Sequence, residues 1–139
     1  MAVAIGLEEP ELLNMGVALL AKFLTVREPN LKYLALENMV RLAEVPAVVD
    51  TVARHQRTIL ACLHDPDISI RRRSLDLLFT MCTQATAAEI TSELLGYLST
   101  AEYEMREELV LKTAVLAERW VLAGWRGGCW GEGGQARVE

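Results

Sequence analysis

The chain has 139 residues and a mass of 15.4 kDa, which fits one domain or one piece of a longer repeat array. Its residues are 52% hydrophobic, 6% aromatic and 24% charged, a composition typical of helical proteins. The formal net charge of −5 excludes nucleic acid as the main partner, because such binding requires a net basic surface.

The first half of the chain predicts three helices. Apolar spacing indicates a helix from residue 11 to about residue 25, which ends where Pro29 disfavours a helical conformation for the residue before it. A second helix is predicted to start near Asn30. A third is predicted over residues 47–63, and it ends in the turn sequence HDPD.

The second half predicts three more helices. The fourth covers residues 67–82. Thr86 is expected to cap the fifth helix, which ends near residue 98, and Glu89 three positions later completes a capping-box pattern. The sixth helix is predicted over residues 101–120.

Alternate helices carry a repeated pattern, in which an apolar residue precedes a base and an acid stands four residues upstream of that base. The bases are Lys32, Arg71 and Arg106, and the acids are Glu28, Asp67 and Glu102. The bases are 39 and then 35 residues apart, close to the period of HEAT and armadillo repeats. We therefore predict an all-α, HEAT/armadillo-like α-solenoid of about six helices in three pairs.

The recurring charges suggest a structural ladder between repeats. Stacked helix pairs bury their apolar faces against each other, so each base can meet an acid of its own repeat or of the next one. Such a ladder of ion pairs would fix the register between neighbouring repeats, and it predicts that Arg71 matters more for stability than Arg72.

The run of three arginines in DPDISIRRRSLDLL has two interpretations. On a helix, Ile70 and Ser74 share the core face, Arg72 points away from it, and Arg71 and Arg73 lie on opposite flanks. The structural interpretation is a packed flank and a solvated face. The alternative is an anion or phospholipid headgroup contact by Arg72 and Arg73, since the segment from residue 54 to 73 carries a net charge of +3.

No pattern of catalytic, cofactor-binding or metal-ligating residues is present in the sequence. His55 and His64 are nine residues apart and do not share a helical face. Neither histidine has a serine or cysteine beside it in a nucleophile motif such as GxSxG, and no phosphate-binding glycine loop occurs. We therefore expect no enzyme, no metal and no cofactor. The start of the chain lacks a basic signal region, so a cytoplasmic protein is expected.

Three segments carry a family resemblance: REPNLKYLALENM, HQRTILACLHDPDISIRRRSLDLLFTMC and ELLGYLSTAEYEMREELVLKTAVLAERW. Together they resemble the helical trunk of the alpha-adaptins, which are large chains of the clathrin adaptor complex at the plasma membrane. The resemblance covers residues 12–120. The stretch YEMREELVLK is more similar to alpha chains than to the gamma chains of the Golgi and endosomal adaptor.

The resemblance implies a role as a scaffold fragment in clathrin-dependent endocytosis and vesicle-mediated protein transport. The implied partners are the small, medium and beta chains of the complex, which gathers at phosphoinositide-rich membrane on the cytosolic face, in coated pits. The headgroup-binding lysines and the appendage of the family lie in regions that do not match this sequence. None of the family's binding residues can therefore be assigned here, and the resemblance implies contact with phosphoinositide membrane only indirectly, through the complex.

The domain organisation follows from the helical pattern, from the resemblance and, for the tail, from composition. Residues 1–10 are uninformative, residues 11–120 form the solenoid fragment, and residues 121–139 form a tail rich in glycine and tryptophan. The last twenty residues hold six of the nine glycines and all three tryptophans, so we expect a disordered tail outside the family pattern. A splice or gene-model junction would explain this tail, and the alternative is a partner motif built on tryptophan.

Two further expectations come from the repeat architecture. A slice of a solenoid exposes the apolar faces that neighbouring repeats would cover, so residues 12–24 and 110–120 are the expected adhesive surfaces. The second functional hypothesis is a free-standing HEAT-like binding module for an acidic partner or a phospholipid headgroup.

Overall fold

A computed structural model describes residues 9–126 of the chain, with side chains up to Trp120. Over this range the chain is helical and contains no β-strand. The elements are α1 (Pro10–Phe23), α2 (Pro29–Ala43), α3 (Val49–Ala53), α4 (Gln56–Ala61), a 3₁₀ turn (Cys62–His64), α5 (Ile68–Met81), α6 (Ala87–Leu98) and α7 (Tyr103–Arg126). The predicted all-α class is confirmed.

The described helices form three stacked pairs. Helix α1 packs on α2, the segment from α3 through the 3₁₀ turn packs on α5, and α6 packs on α7. The second helices of the pairs lie side by side, with α5 between α2 and α7. This arrangement confirms the predicted α-solenoid of three pairs.

The helix starts follow from local chemistry. Pro10 and Pro29 occupy the first turns of α1 and α2, where a missing N–H costs nothing and the fixed φ of proline suits a helix. Asp67 caps α5, because its side chain accepts a hydrogen bond of 2.8 Å from the backbone N–H of Ser69.

One hydrophobic cluster runs through all three pairs, from Leu13 in α1 to Leu116 in α7. Helix α5 lies at its centre. The fully buried members of α5 are Ile70, Leu75, Leu77, Leu78 and Met81. Because α5 buries side chains against both neighbouring second helices, it is the element that joins the three pairs into one core.

The third predicted helix is not continuous. The sequence predicted one helix over residues 47–63, whereas the structure divides it into α3, α4 and the 3₁₀ turn. The break lies at His55, whose backbone has left the helical region (φ −96°, ψ 11°). The preceding residues are rich in β-branched side chains, which are weak helix formers, and no glycine or proline marks the break.

The predicted capping box at α6 does not form. Thr86 stands at the N-cap position, but its side chain makes no capping hydrogen bond. Its hydroxyl instead accepts a bond of 3.0 Å from the backbone N–H of Thr83. The hydroxyl is therefore used in the turn that precedes the helix.

The last described helix extends beyond the predicted solenoid boundary at Trp120. Helix α7 continues to Arg126. The disorder predicted for the rest of the tail, from residue 127 to 139, lies outside the described residues, as do residues 1–8 of the uninformative segment. Within the described part, no helix is both long enough and apolar enough to cross a membrane.

Candidate functional site: the polar ladder between helix pairs

Polar side chains connect the second helices of neighbouring pairs, and we call these contacts the polar ladder. It links α2 to α5 and to the turn before α5, and it links α5 to α7 and to the turn before α7. Its five side-chain contacts are Lys32–Asp65, Tyr33–Arg73, Arg71–Glu102, Arg72–Glu108 and Asp76–Lys112.

The first interface joins the first and second helix pairs. The ammonium group of Lys32 donates to the carboxylate of Asp65 at 2.8 Å. The guanidinium group of Arg73 donates twice to the hydroxyl of Tyr33, at 3.2 and 3.0 Å, and lies 5.3 Å from the centroid of its ring. This combination of hydrogen bonding and cation–π contact holds α5 against α2.

The second interface begins at Arg71, whose side chain is only 12% exposed. One of its terminal nitrogens donates to the carboxylate of Glu102 at 3.0 Å, and the other donates to the backbone carbonyl of Asp65 at 3.0 Å. Arg71 therefore ties together the turn before α5 and the turn before α7.

Further along the same interface, Lys112 of α7 contacts two carboxylates. Its ammonium group donates to Asp76 of α5, and to Glu108 of its own helix at 2.8 Å. Glu108 also faces Arg72, with 3.8 Å between the nearest charged atoms. Asp76 and Glu108 thus share one half-buried cation between the two helices.

The two interfaces use the same register. In each interface, the residue that follows the base of one repeat contacts the residue two positions after the base of the next repeat. Tyr33, which follows Lys32, contacts Arg73 in this way, and Arg72 contacts Glu108. Lys32 and Arg71 also each contact an acid that precedes the base of the following repeat, six residues before it in the first case and four in the second. The two interfaces therefore share most of their register, which is the property expected of a stacked repeat.

The predicted charges are only partly brought together. Glu102 meets Arg71 of the preceding repeat. Asp67 caps α5 instead of forming an ion pair, and among the described residues Glu28 has no side-chain partner. Arg106 donates to the backbone carbonyl of Ala101 at 2.8 Å.

Sequence reasoning missed half of the ladder. Asp65 was not identified because it stands six residues before its repeat's base, outside the four-residue pattern. Tyr33, Asp76, Glu108 and Lys112 were also missed. A comparison of the residues one and two places after each base would have indicated Tyr33 and Glu108.

The anion hypothesis for Arg72 and Arg73 meets a structural difficulty. Arg73 uses its donors on Tyr33 and also lies 3.5 Å from Asp76. Arg72 is exposed, as predicted, but it is not a free charge because Glu108 lies nearby. An incoming phosphate would have to compete with these acidic neighbours.

The ladder also shifts the ionisation of its members. Burial acts to raise the pKa of Asp65, but the hydrogen bond from Lys32 and the backbone N–H of Asp67 outweigh it, so the pKa is lowered. Burial acts to lower the pKa of Lys112, but Asp76 and Glu108 outweigh it and raise that pKa. Both groups are held in their charged forms.

Elsewhere in the described part of the chain, few side chains lie where they could take part in catalysis or metal binding. A shallow groove of about 320 Å³ between α4 and α6 is lined by Arg57, His64, Glu93 and Tyr97 among others, without a cysteine or serine. Burial raises the pKa of the Cys62 thiol, which disfavours the reactive thiolate. No cluster of three potential metal ligands occurs within the described part of the chain.

Comparison with known proteins identifies the family to which this arrangement of helices belongs. The family model for the adaptin N-terminal region matches residues 3–123. The chain belongs to the adaptin N-terminal family. The match begins within the segment that seemed uninformative in the sequence, and it ends inside α7.

Individual adaptin relatives distinguish the chain types. The AP-2 complex subunit alpha-1 of Arabidopsis thaliana is 58% identical over 111 residues, which is 80% of this chain, and the alpha-2 subunit of Dictyostelium discoideum is 48% identical over 112 residues. The AP-1 complex subunit gamma of Dictyostelium discoideum is 36% identical over 106 residues. The chain spans only 11% of the length of the two alpha relatives.

Proposed function

We propose that this chain is a non-catalytic scaffold segment of a clathrin adaptor large chain of the alpha type. It acts through protein contacts in clathrin-dependent endocytosis and vesicle-mediated transport. The observation that carries the proposal is the 58% identity to AP-2 alpha subunits over 111 residues, compared with 36% for a gamma subunit.

The structure supports a scaffold role through the contacts that join its helix pairs. The polar ladder fixes the offset between pairs, and the single apolar cluster joins them into one body. A stack of helix pairs joined in this way presents a continuous side surface to partner proteins, which is how solenoid repeats bind. Such binding needs no reacting groups.

The partners of the proposed assembly are the small, medium and beta chains of the adaptor complex. The resemblance to alpha-adaptins indicates that the trunk holds the small chain. The location that follows is the cytosolic face of the plasma membrane, in clathrin-coated pits, with phosphoinositide membrane contacted indirectly through the complex.

Co-purification tests this proposal. The tagged 139-residue chain is co-expressed with the small chain of the AP-2 complex and, in a parallel sample, with the small chain of the AP-1 complex. We expect recovery of the AP-2 small chain in clear excess over that of AP-1. Equal recovery would contradict the alpha assignment, and recovery of neither by a folded chain would contradict the scaffold role.

The competing headgroup hypothesis requires its own experiment. Vesicles with and without phosphoinositide are floated with the wild-type chain and with an Arg72→Glu/Arg73→Glu variant. Because both arginines already face carboxylates or Tyr33, we expect no phosphoinositide-dependent flotation that the variant abolishes. Binding that is lost only in the variant would favour the free-standing module.

A further inference from the structure

An exposed hydroxyl group lies one helical turn before two arginines on α5. The backbone N–H of Ser69 donates to Asp67, whereas its exposed side-chain hydroxyl makes no hydrogen bond to another described residue. Arg72 and Arg73 follow three and four residues later, so both lie next to Ser69 on the surface of the helix. The hydroxyl therefore has two guanidinium groups as its helical neighbours.

Both arginines keep hydrogen-bond donors for a further acceptor. The side chain of Arg72 is 48% exposed, and its contact with Glu108 spans 3.8 Å, which is too long for a hydrogen bond. Arg73 donates to Tyr33 through two of its nitrogens, and the third lies 3.5 Å from Asp76. Because a guanidinium group carries five N–H donors, each arginine can bind one more anionic oxygen.

The start of α5 is open to solvent. Pro66, Asp67 and Ser69 are all exposed, and the first fully buried side chain of the helix is that of Ile70. The ends of helices open locally at a small cost in free energy, and residues up to Ser69 can do so without exposing Ile70. An enzyme can therefore reach the Ser69 hydroxyl in the folded chain.

We propose that Ser69 is a phosphorylation site whose phosphate group is held by Arg72 and Arg73. The enzyme that fits this segment is a serine/threonine kinase that selects arginine after the target residue, with ATP as the phosphate donor. The Ser69 oxygen bonds to the γ-phosphorus of ATP, the bond from that phosphorus to the bridging oxygen breaks, and ADP leaves. The hydroxyl proton passes to the catalytic aspartate of the kinase. The inference goes beyond the proposed adaptor role and does not depend on it.

A phosphate group attached to Ser69 differs from a free phosphate or a lipid headgroup. It carries a charge of about −1.5 to −2 at neutral pH and three strong acceptor oxygens. Since it is tethered one turn from the arginines, it competes with Glu108 and Asp76 without the entropy loss that a free anion incurs on binding. Phosphorylation therefore draws Arg72 away from Glu108 and makes the exposed face of α5 negative. Helices α5 and α7 stay joined, because Lys112 still contacts both carboxylates.

Kinase treatment of the folded 139-residue chain tests the site. The chain is incubated with ATP and protein kinase C, which accepts arginine after the target serine, and the phosphopeptides are mapped by mass spectrometry. We expect Ser69 to carry most of the phosphate, and Ser69→Ala to remove it while circular dichroism stays unchanged. Arg72→Gln/Arg73→Gln should slow the reaction by about fivefold, because the charges that attract the kinase are lost. Phosphate at other residues but not at Ser69 would overturn the proposal.

Phosphoserine introduced at position 69 during translation tests the arginine contacts without a kinase. Titration by ³¹P nuclear magnetic resonance gives the second pKa of the phosphate group, which is about 6 in the absence of charged neighbours. The two guanidinium groups should lower this pKa by about 0.5, and Arg72→Gln/Arg73→Gln should restore it. Arg54→Gln is the matched control, because this exposed arginine lies outside α5, and the lowered pKa should remain. A pKa that the loss of both arginines leaves unchanged would overturn the inference.

Discussion

At the scale of single residues, the run of three arginines contains three different contacts. Arg71 and Arg72 face the third helix pair, whereas Arg73 faces the first. The helical angle per residue predicted this division into two flanks and an exposed position. It could not predict the partners, because Tyr33, Glu102 and Glu108 lie far away in sequence.

Charge reversal at the first two arginines should have unequal effects. Arg71→Glu removes the hydrogen bonds of a side chain that is only 12% exposed and places a carboxylate next to the exposed Glu102, and it is expected to cost about 2 kcal/mol of unfolding free energy. Arg72→Glu alters a half-exposed pair with 3.8 Å between charges and should cost less than about 1 kcal/mol. Urea denaturation measures both. Equal losses of unfolding free energy in the two variants would contradict the structural role of the ladder.

Asp65 should give the ladder a dependence on acid pH. Because its pKa is lowered in the folded chain, its contribution is present above the unfolded value of about 3.9 and is lost as the pH falls through the folded value. The stability advantage of wild type over Asp65→Asn should therefore shrink below about pH 4.

The Asp65→Asn substitution leaves one hydrogen bond of the turn before α5 in place. Asparagine keeps the side-chain oxygen that accepts from the backbone N–H of Asp67 at 3.0 Å, so the substitution removes only the charge and the hydrogen bond toward Lys32. Denaturant midpoints from pH 2.5 to 7 provide the measurement. A constant difference between the two chains across this range would refute the proposed role of the Asp65 charge.

At the scale of elements, α5 is fixed by one buried hydrogen bond as well as by its apolar face. Ser74 is fully buried, and its hydroxyl donates to the backbone carbonyl of Ile59 in α4 at 2.6 Å. The sequence predicted that Ser74 lies on the core face, but the carbonyl acceptor arises only because α4 packs there.

Removal of this hydroxyl should weaken the joint between α4 and α5. Ser74→Ala is expected to lower the unfolding free energy by about 1–2 kcal/mol, because it leaves a buried carbonyl with one partner fewer. Ser69→Ala on the exposed first turn of the same helix is the matched control, with an expected change within about 0.5 kcal/mol. Thermal denaturation of both variants checks this, and similar shifts in the two would refute it.

At the scale of the whole molecule, the core defines which part of the chain is required for folding. Among the side chains that the structure describes, which end at Trp120, the last fully buried one is Leu116, and Trp120 packs partly against the same cluster. A chain that ends at Arg126 should therefore keep the unfolding midpoint of the full chain. A chain that ends at Val115 should lose several degrees, because it opens the end of the core.

Calorimetry of the two truncated chains and the full chain compares these midpoints directly. A large loss on removal of residues 127–139 alone would show that the glycine-rich tail contributes to the fold, and it would contradict the domain division predicted from composition.

The sequence by itself determined the helical class, the three pairs and the repeat period. These features depend on local propensity and on apolar and charged spacing, which are written along the chain. Family resemblance in the same residues indicated the adaptin family correctly. The sequence predicted the acids of the ladder less well, since Asp67 caps α5 and Asp65 forms the ion pair with Lys32.

Only the tertiary structure decided which charges meet and where α3 ends. Contacts such as Lys32–Asp65 and Arg71–Glu102 join residues 33 and 31 positions apart, and their choice depends on the offset between stacked pairs. The same offset decides which of the two apolar sides of α1 becomes core and which becomes an outer face. A sequence shows that a helix is apolar on both sides, but packing against a neighbour selects one of them.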